Sequence, residues 1–159
     1  MARRTIGDIE KIWSHVEGAK KLSDRVVGVG PFGVGLDGLL TWVPVVGTAY
    51  SVGTAGWLLL QAARVRARPG TVARMIAYLG LDSAVTLVGE VPFLDFVPSV
   101  ADLLLRGHLM AAKALQKDIE STHWVEASER EARASGDHER HVQTLRADPR
   151  LSRIVYLHD

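Results

Sequence analysis

One stretch of the sequence carries no acidic or basic side chain over 26 residues. It covers residues 38–63 and reads GLLTWVPVVGTAYSVGTAGWLLLQAA. A helix needs about 20 mostly apolar residues to cross a bilayer, so the stretch is long enough for one crossing. Pro44 and three glycines interrupt it, and proline disrupts a helix because it lacks an amide donor. We therefore expect a short apolar element at 38–43, a turn at 44–47, and a longer helix that ends near Arg64.

A weak internal repeat predicts a second apolar hairpin of the same kind. Residues 36–43 and 81–88 share leucine, aspartate, threonine and valine in register. Each segment is followed by a Val-Pro-aliphatic motif, at 43–46 and at 91–94. Duplicated, proline-interrupted apolar segments occur in membrane proteins, and they also occur where repeats share a core. The repeat leaves both a membrane setting and a packing role open.

Apolar spacing predicts helices in the flanking regions. Isoleucines at helical intervals, after a segment from Thr5 to Asp8 that resembles a capping box, predict an amphipathic helix over 6–24. Thr71 is expected to cap a further helix that Gly80 stops.

The C-terminal third of the sequence predicts a long charged helix. A cap at 99–102 is expected to start it, and a helical stripe of apolar residues continues to about Ala134. A short helix over 138–146 and an extended tail over 151–159 follow, with strand-like alternation at 154–157.

These elements predict an all-α protein. The fold is expected to be a small helical bundle with two proline- and glycine-interrupted apolar helical hairpins, an amphipathic N-terminal helix and a long C-terminal helix. The expected organisation is an N-terminal helix at 1–25, a hydrophobic helical region at 26–112 and a charged C-terminal region at 113–159.

Four arginines follow the uncharged stretch, with no acid among them: Arg64, Arg66, Arg68 and Arg74. At a membrane such a loop favours the cytoplasmic face and its anionic lipids. In a compact fold the same arginines would bind acidic side chains of the protein or of a partner. Nucleic acid is not an expected partner, because the net charge is only +1 and no aromatic residues are interleaved with the arginines.

Two further groups of residues are candidate sites. Four acids in the second apolar region form a candidate cluster for a cation or for the arginines: Asp82, Glu90, Asp95 and Asp102. Hard cations require several converging oxygens, which this spacing does not ensure, so no metal is predicted. Four positions of the uncharged stretch are expected to pack against lipid or a partner helix: Trp42, Pro44, Gly53 and Trp57.

No pattern in the sequence indicates catalysis or a cofactor. The chain has no cysteine, which excludes disulfides and thiol chemistry. The glycines at 28–33 satisfy a nucleotide-binding spacing but follow a helix rather than a strand. His138 and His141 could share a metal on one helix face, although their charged surroundings favour a solvated surface. We expect a protein that is not an enzyme.

Several short motifs together carry a resemblance to a known family. The segment 32–47, the Ala-Arg pair at 63–64, the Arg-Met pair at 74–75 and the Leu-Asp pair at 81–82 resemble the bacterial family called domain of unknown function 4112. The resemblance covers roughly residues 26–112. Thr48 departs from it, since members place an aspartate after Pro-x-x-Gly, and the second proline motif is altered. The family has no established activity, so the resemblance implies a small, mostly helical, membrane-associated protein.

The predicted function is that of a membrane-embedded or membrane-associated accessory protein of the bacterial cytoplasmic membrane, with its termini in the cytoplasm. Membrane lipids or a hydrophobic protein are the expected partners. A homo-oligomer and a subunit of a membrane complex are both open as the form of the protein. Spanning helices and re-entrant hairpins are both open. The alternative is a soluble helical module that binds a protein through its charged C-terminal helix.

Overall fold

A computed structural model of the protein describes residues 3–27, 44–88 and 100–158, with side chains at 3–21, 52–80 and 107–158. The described chain is mostly helical, which confirms the predicted fold class. Its elements are α1 (Ile6–Val27), α2 (Pro44–Arg64), α3 (Pro69–Val88), α4 (Val100–Glu120), β1 (Thr122–Val125), α5 (Glu129–Ser135), α6 (Asp137–Ala147) and β2 (Arg153–Tyr156). Among the described helices, none combines the length and the apolar content that a bilayer crossing requires.

Helix α1 begins where its capping signal predicts. The Thr5 amide donates to Asp8 Oδ2 at 3.0 Å, and the Asp8 amide donates to Thr5 Oγ1 at 3.3 Å. This reciprocal pair satisfies two amides that the first helical turn leaves without partners. The bond from the Thr5 amide is the largest cause that lowers the pKa of Asp8.

Helix α2 begins at Pro44, so the predicted turn at 44–47 is wrong. Proline is tolerated in the first helical turn because the amide that it lacks would have no partner there, and its fixed φ suits the helix. The expected short element at 38–43, including Trp42, lies outside the described residues.

Helix α3 is longer at both ends than its sequence predicts. The amides of Thr71 and Val72 both donate to the Arg68 carbonyl, at 2.9 and 3.0 Å, so the helix begins before the predicted cap. It also continues through Gly80 to Val88. A glycine inside a helix costs about 1 kcal/mol, which is too little to end a helix that is otherwise well packed.

The predicted long C-terminal helix is wrong, because α4 ends at Glu120. Thr122 Oγ1 donates to the Asp118 carbonyl at 2.7 Å, which satisfies one carbonyl at the helix end. The chain then enters β1, whose threonine, tryptophan and valine suit a strand. Pairing with β2 supplies backbone hydrogen bonds that a continued helix would otherwise have made.

The described chain divides into two compact units. The hairpin unit comprises residues 15–115, and the strand unit comprises residues 1–14 and 116–159. In the hairpin unit α2 contacts α3. Its fully buried side chains are mostly aliphatic and include Val16, Leu58, Ala62, Val65, Met75, Ala111 and Leu115.

The strand unit contains a two-stranded parallel sheet. Thr122 of β1 pairs with Arg153 of β2, and the register continues to Val125 opposite Tyr156. Parallel strands require a crossover, which α5 and α6 provide. Gly136 joins these two helices with a φ of 82°, a left-handed conformation that favours glycine. The apolar core of this unit contains Val125, Ala132 and Tyr156.

Candidate functional sites

The turn between α2 and α3 contains two of the four predicted arginines, Arg66 and Arg68, and Arg64 is the last residue of α2. The backbone of the turn is fixed by hydrogen bonds back into α2: the Val65 amide donates to the Gln61 carbonyl at 3.0 Å, and the Ala67 amide donates to the Ala62 carbonyl at 2.9 Å. Arg66 has a φ of 47°, which turns the chain sharply toward α3. Val65 is fully buried in this turn.

The four predicted arginines lie mostly at the surface of the hairpin unit. Arg64 and Arg66 are exposed, and Arg68 is half-buried. Arg74 is exposed one helical turn into α3, where its Nε donates to the Gly70 carbonyl at 3.3 Å. We call Arg64, Arg66, Arg68 and Arg74 the basic turn. The sequence predicted this group, and the structure places all four in one helical hairpin.

The outward stripe of α2 is apolar. Val52, Gly56, Leu60 and Ala63 recur at helical spacing, and all four are exposed. Val52 is 65% exposed and Leu60 is 50% exposed. A helix on the surface of a soluble protein normally presents polar residues there.

Helix α3 has an outward stripe of the same composition. Ala73, Ile76, Ala77 and Gly80 are exposed and recur at helical spacing, with Ile76 54% exposed. We call these two rows together the apolar stripes. Each apolar stripe meets charged residues only at the end that lies near the basic turn. The described part of the hairpin therefore combines an apolar surface with a positively charged end.

The predicted packing positions of the uncharged stretch have different environments. Gly53 is exposed, and a Cβ built on it would meet no atom of the described chain within 4 Å. Trp57 is half-buried. Pro44 begins α2, and Trp42 lies outside the described residues. Gly53 therefore does not serve close packing against another described segment of the chain.

The candidate acidic cluster is described only in part. Asp82 lies in α3 and Asp102 lies in α4, and the structure describes only the backbone of these two residues. Glu90 and Asp95 lie outside the described residues altogether. A role for this cluster stays a prediction. Among the side chains that are described, no three ligand-type residues converge on a metal position.

The hairpin lies within a segment that a family model matches. The model, described as Domain of unknown function (DUF4112), matches residues 12–119. The chain belongs to the DUF4112 family. This match confirms the resemblance, and the DUF4112 segment includes α2, the basic turn and α3. No curated protein and no solved structure matches the chain.

Three histidines and a tyrosine lie between the sheet and the crossover, beyond the DUF4112 segment. His123 Nε2 of β1 lies 3.0 Å from His141 Nδ1 of α6. His138 Nδ1 of α6 lies 2.8 Å from Tyr156 Oη of β2. The ring of His141 also meets Tyr156 edge-on, with centroids 6.2 Å apart. We call these four residues the histidine layer.

The two histidines that the sequence offered as a shared metal site both lie beside Tyr156. The Nδ1 atom of His138 contacts the Tyr156 hydroxyl, and the Nδ1 atom of His141 contacts His123. Burial lowers the pKa of His123, and the neighbouring His141 lowers it further. The arrangement is suited to sharing and releasing protons.

A buried ion pair joins α4 to β2 in the strand unit. Arg153 Nη2 donates to Asp118 Oδ2 at 2.9 Å, and Arg153 Nε donates to Thr122 Oγ1 at 2.9 Å. The Asp118 side chain is 1% exposed and that of Arg153 is 19% exposed. Removing one partner of such a pair is costly, because the remaining buried charge is left without its counter-charge.

Sequence reasoning missed His123, Tyr156 and this ion pair. The available signal was the run Thr122 to Val125, which is rich in strand-forming residues and follows a helical stripe. Read as a strand, that run has a natural partner in the alternating segment at 154–157, which the sequence did indicate.

Proposed function

We propose that the protein is an accessory protein of the bacterial cytoplasmic membrane whose hairpin unit lies against the lipid surface. The apolar stripes carry this proposal, because they expose aliphatic and small side chains where a soluble helix exposes polar ones. The uncharged stretch explains the composition of the α2 stripe, since α2 has no charged residue before Arg64.

The basic turn supplies the preference for a lipid surface over an uncharged partner. Arginines near an anionic membrane contribute about 1 kcal/mol each. Val52, Leu60 and Ile76 are each about half exposed, so burying the rest of each side chain contributes about 1 kcal/mol more. Both contributions favour an interface in which the stripes enter the headgroup region and the arginines bind phosphates. The chain termini are then expected in the cytoplasm.

Flotation of the full chain with lipid vesicles tests this proposal. We expect binding to vesicles of phosphatidylcholine mixed with phosphatidylglycerol, and much weaker binding to phosphatidylcholine alone. Replacing Arg66 and Arg74 together by glutamine is expected to reduce the affinity by about 2 kcal/mol, or roughly thirty-fold. Ile76→Gln is expected to weaken binding to both kinds of vesicle.

The matched control replaces two exposed arginines of the strand unit, Arg130 and Arg146, by glutamine. This variant has the same net charge as the test variant and is expected to bind as the wild type does. Equal losses in the two variants would mean that total charge, and not the basic turn, governs binding. A protein that never floats, and that is monodisperse without detergent, would overturn the proposal and favour a soluble interaction module.

A further inference from the structure

Helix α6 is attached to the sheet mainly by polar contacts. None of its described side chains is fully buried, whereas the preceding α5 buries Ala132. The contacts that join α6 to the strands include those of His141 with His123 and of His138 with Tyr156. Because α6 has no fully buried side chain, these polar contacts contribute to how firmly the helix is held.

The two contacts respond differently to protons. A tyrosine oxygen can accept a hydrogen bond from an imidazole N–H, so the contact of His138 with Tyr156 survives when that ring gains a charge. Two imidazoles with nitrogens 3.0 Å apart can share one proton, but a second proton places two positive charges side by side. Only the pair of His123 and His141 is therefore broken by full protonation.

We infer that the His123–His141 pair is a proton-sensitive latch that holds α6 on the sheet near neutral pH and releases it in mild acid. The charged and titratable groups around the pair come from α6 and β2, namely His138 and Tyr156. Arg153 bonds to Thr122, which directly precedes His123 in β1. Successive side chains of a strand point to opposite faces of the sheet, so the charge of Arg153 lies on the face opposite His123.

The direction of the pH dependence follows from His123. Its pKa lies below the ordinary value of 6.5, because burial and then His141 disfavour its charged form. The released form takes up that proton at a higher pH than the held form. The held form thus loses stability as the pH falls from 6.5 toward the lower pKa, and it keeps its full stability above 6.5.

Hydrogen–deuterium exchange of the full chain tests the latch. Amide protection is measured at about pH 7.5 and about pH 5.5, with correction for the intrinsic exchange rate. We expect protection of peptides from α6 and β1 to fall in acid. The fall at pH 5.5 is at most about tenfold, because this pH lies only one unit below the ordinary pKa of 6.5.

His123→Gln is the decisive variant, since an amide can still bond to His141 but takes up no proton. Its α6 protection is expected to be the same at both pH values. His15→Gln, which changes an exposed histidine of α1, is the matched control and should keep the acid response of the wild type. His138→Gln should lower the protection of α6 at both pH values and leave the acid response intact.

An NMR titration of the wild type gives a second readout that needs no variant. The resonances of His123 are expected to move with a midpoint below pH 6.5. Unchanged α6 protection in acid, or an acid response that persists in His123→Gln, overturns the inference. The inference is also overturned if zinc protects α6 in the wild type but not in His123→Gln, because the pair would then be a metal site.

Discussion

The hairpin unit and the strand unit differ in what holds them together. In the hairpin unit the fully buried side chains are mostly aliphatic, and its outward stripes are apolar as well. The strand unit combines an apolar core, which includes Val125, Ala132 and Tyr156, with side-chain hydrogen bonds between distant residues. Trp13 Nε1, for example, donates to Glu120 Oε1 at 3.0 Å, and His158 Nε2 lies 3.1 Å from the Arg4 carbonyl.

This difference coincides with the extent of the family match. The hairpin lies inside the DUF4112 segment, and the sheet with its crossover lies after it. Apolar packing is insensitive to pH and charge, whereas hydrogen-bonded ion pairs and imidazoles respond to both. We therefore expect cavities to damage one unit and changes of charge to damage the other.

The largest expected effect is on the ion pair of the strand unit. Asp118→Ala leaves the partly buried guanidinium of Arg153 without its carboxylate, and should destabilise the strand unit by about 3 kcal/mol. Arg133→Ala, which removes an exposed pair with Glu129, is the control and should cost less than about 1 kcal/mol. Urea unfolding followed by the amide resonances of β1 measures both. Equal losses in the two variants would mean that burial adds nothing to the cost of breaking an ion pair in this unit.

A neighbouring pair of residues in α3 tests the apolar packing of the hairpin unit. Met75 is fully buried and Ile76 is 54% exposed. Met75→Ala should cost about 2–5 kcal/mol because it leaves a cavity, and Ile76→Ala should cost less than about 1 kcal/mol. Urea unfolding followed by amide resonances of α3 is the measurement. A larger loss for Ile76 than for Met75 would mean that the stripe of α3 is covered by the protein itself.

The capping box of α5 is a smaller contribution to the strand unit. The Glu131 amide donates to Ser128 Oγ at 3.2 Å, and the Ser128 amide donates to Glu131 Oε2 at 3.2 Å. Ser128→Ala should destabilise the unit by about 1 kcal/mol. Thr144→Ala, which removes only a bond to the carbonyl one turn earlier in α6, should be close to neutral. Thermal unfolding compares them, and a neutral Ser128→Ala would show that the cap is dispensable.

The smallest expected effect concerns an exposed carboxylate after α6. Hydrogen bonds from Arg150 lower the pKa of Asp148 from 3.8 to about 2. The contribution of this pair to stability is present above pH 3.8 and is lost as the pH falls toward 2. Arg150→Gln should return the pKa of Asp148 toward 3.8, as read from the carboxyl carbon in an NMR titration. An unchanged midpoint would mean that the pair does not form in solution.

Local signals in the sequence predicted the features that neighbouring residues decide. The cap at Thr5 and Asp8 gave the start of α1, and the short helix at 138–146 and the strand-like alternation at 154–157 were also found. The basic turn was predictable for the same reason, because its arginines are close in sequence and one turn brings them together.

Features that depend on distant partners were not predictable in this way. The helical stripe of α4 continues past Glu120, and only pairing with β2 explains why the helix ends there. The histidine layer combines side chains of β1, α6 and β2, and no spacing along the chain brings these three elements together. Pro44 is a different case. Proline suits both a loop and the first turn of a helix, so the residue alone did not decide between the two.

The parallel register also sets an order of assembly. Residues that pair across the sheet are 31 positions apart, as are Thr122 and Arg153. Helices form from contacts within a few residues, and a loop of this length must close before two strands can join. A nascent chain that has not yet produced residues 153–156 therefore presents β1 as an unpaired edge, which a chaperone or a second growing chain can bind.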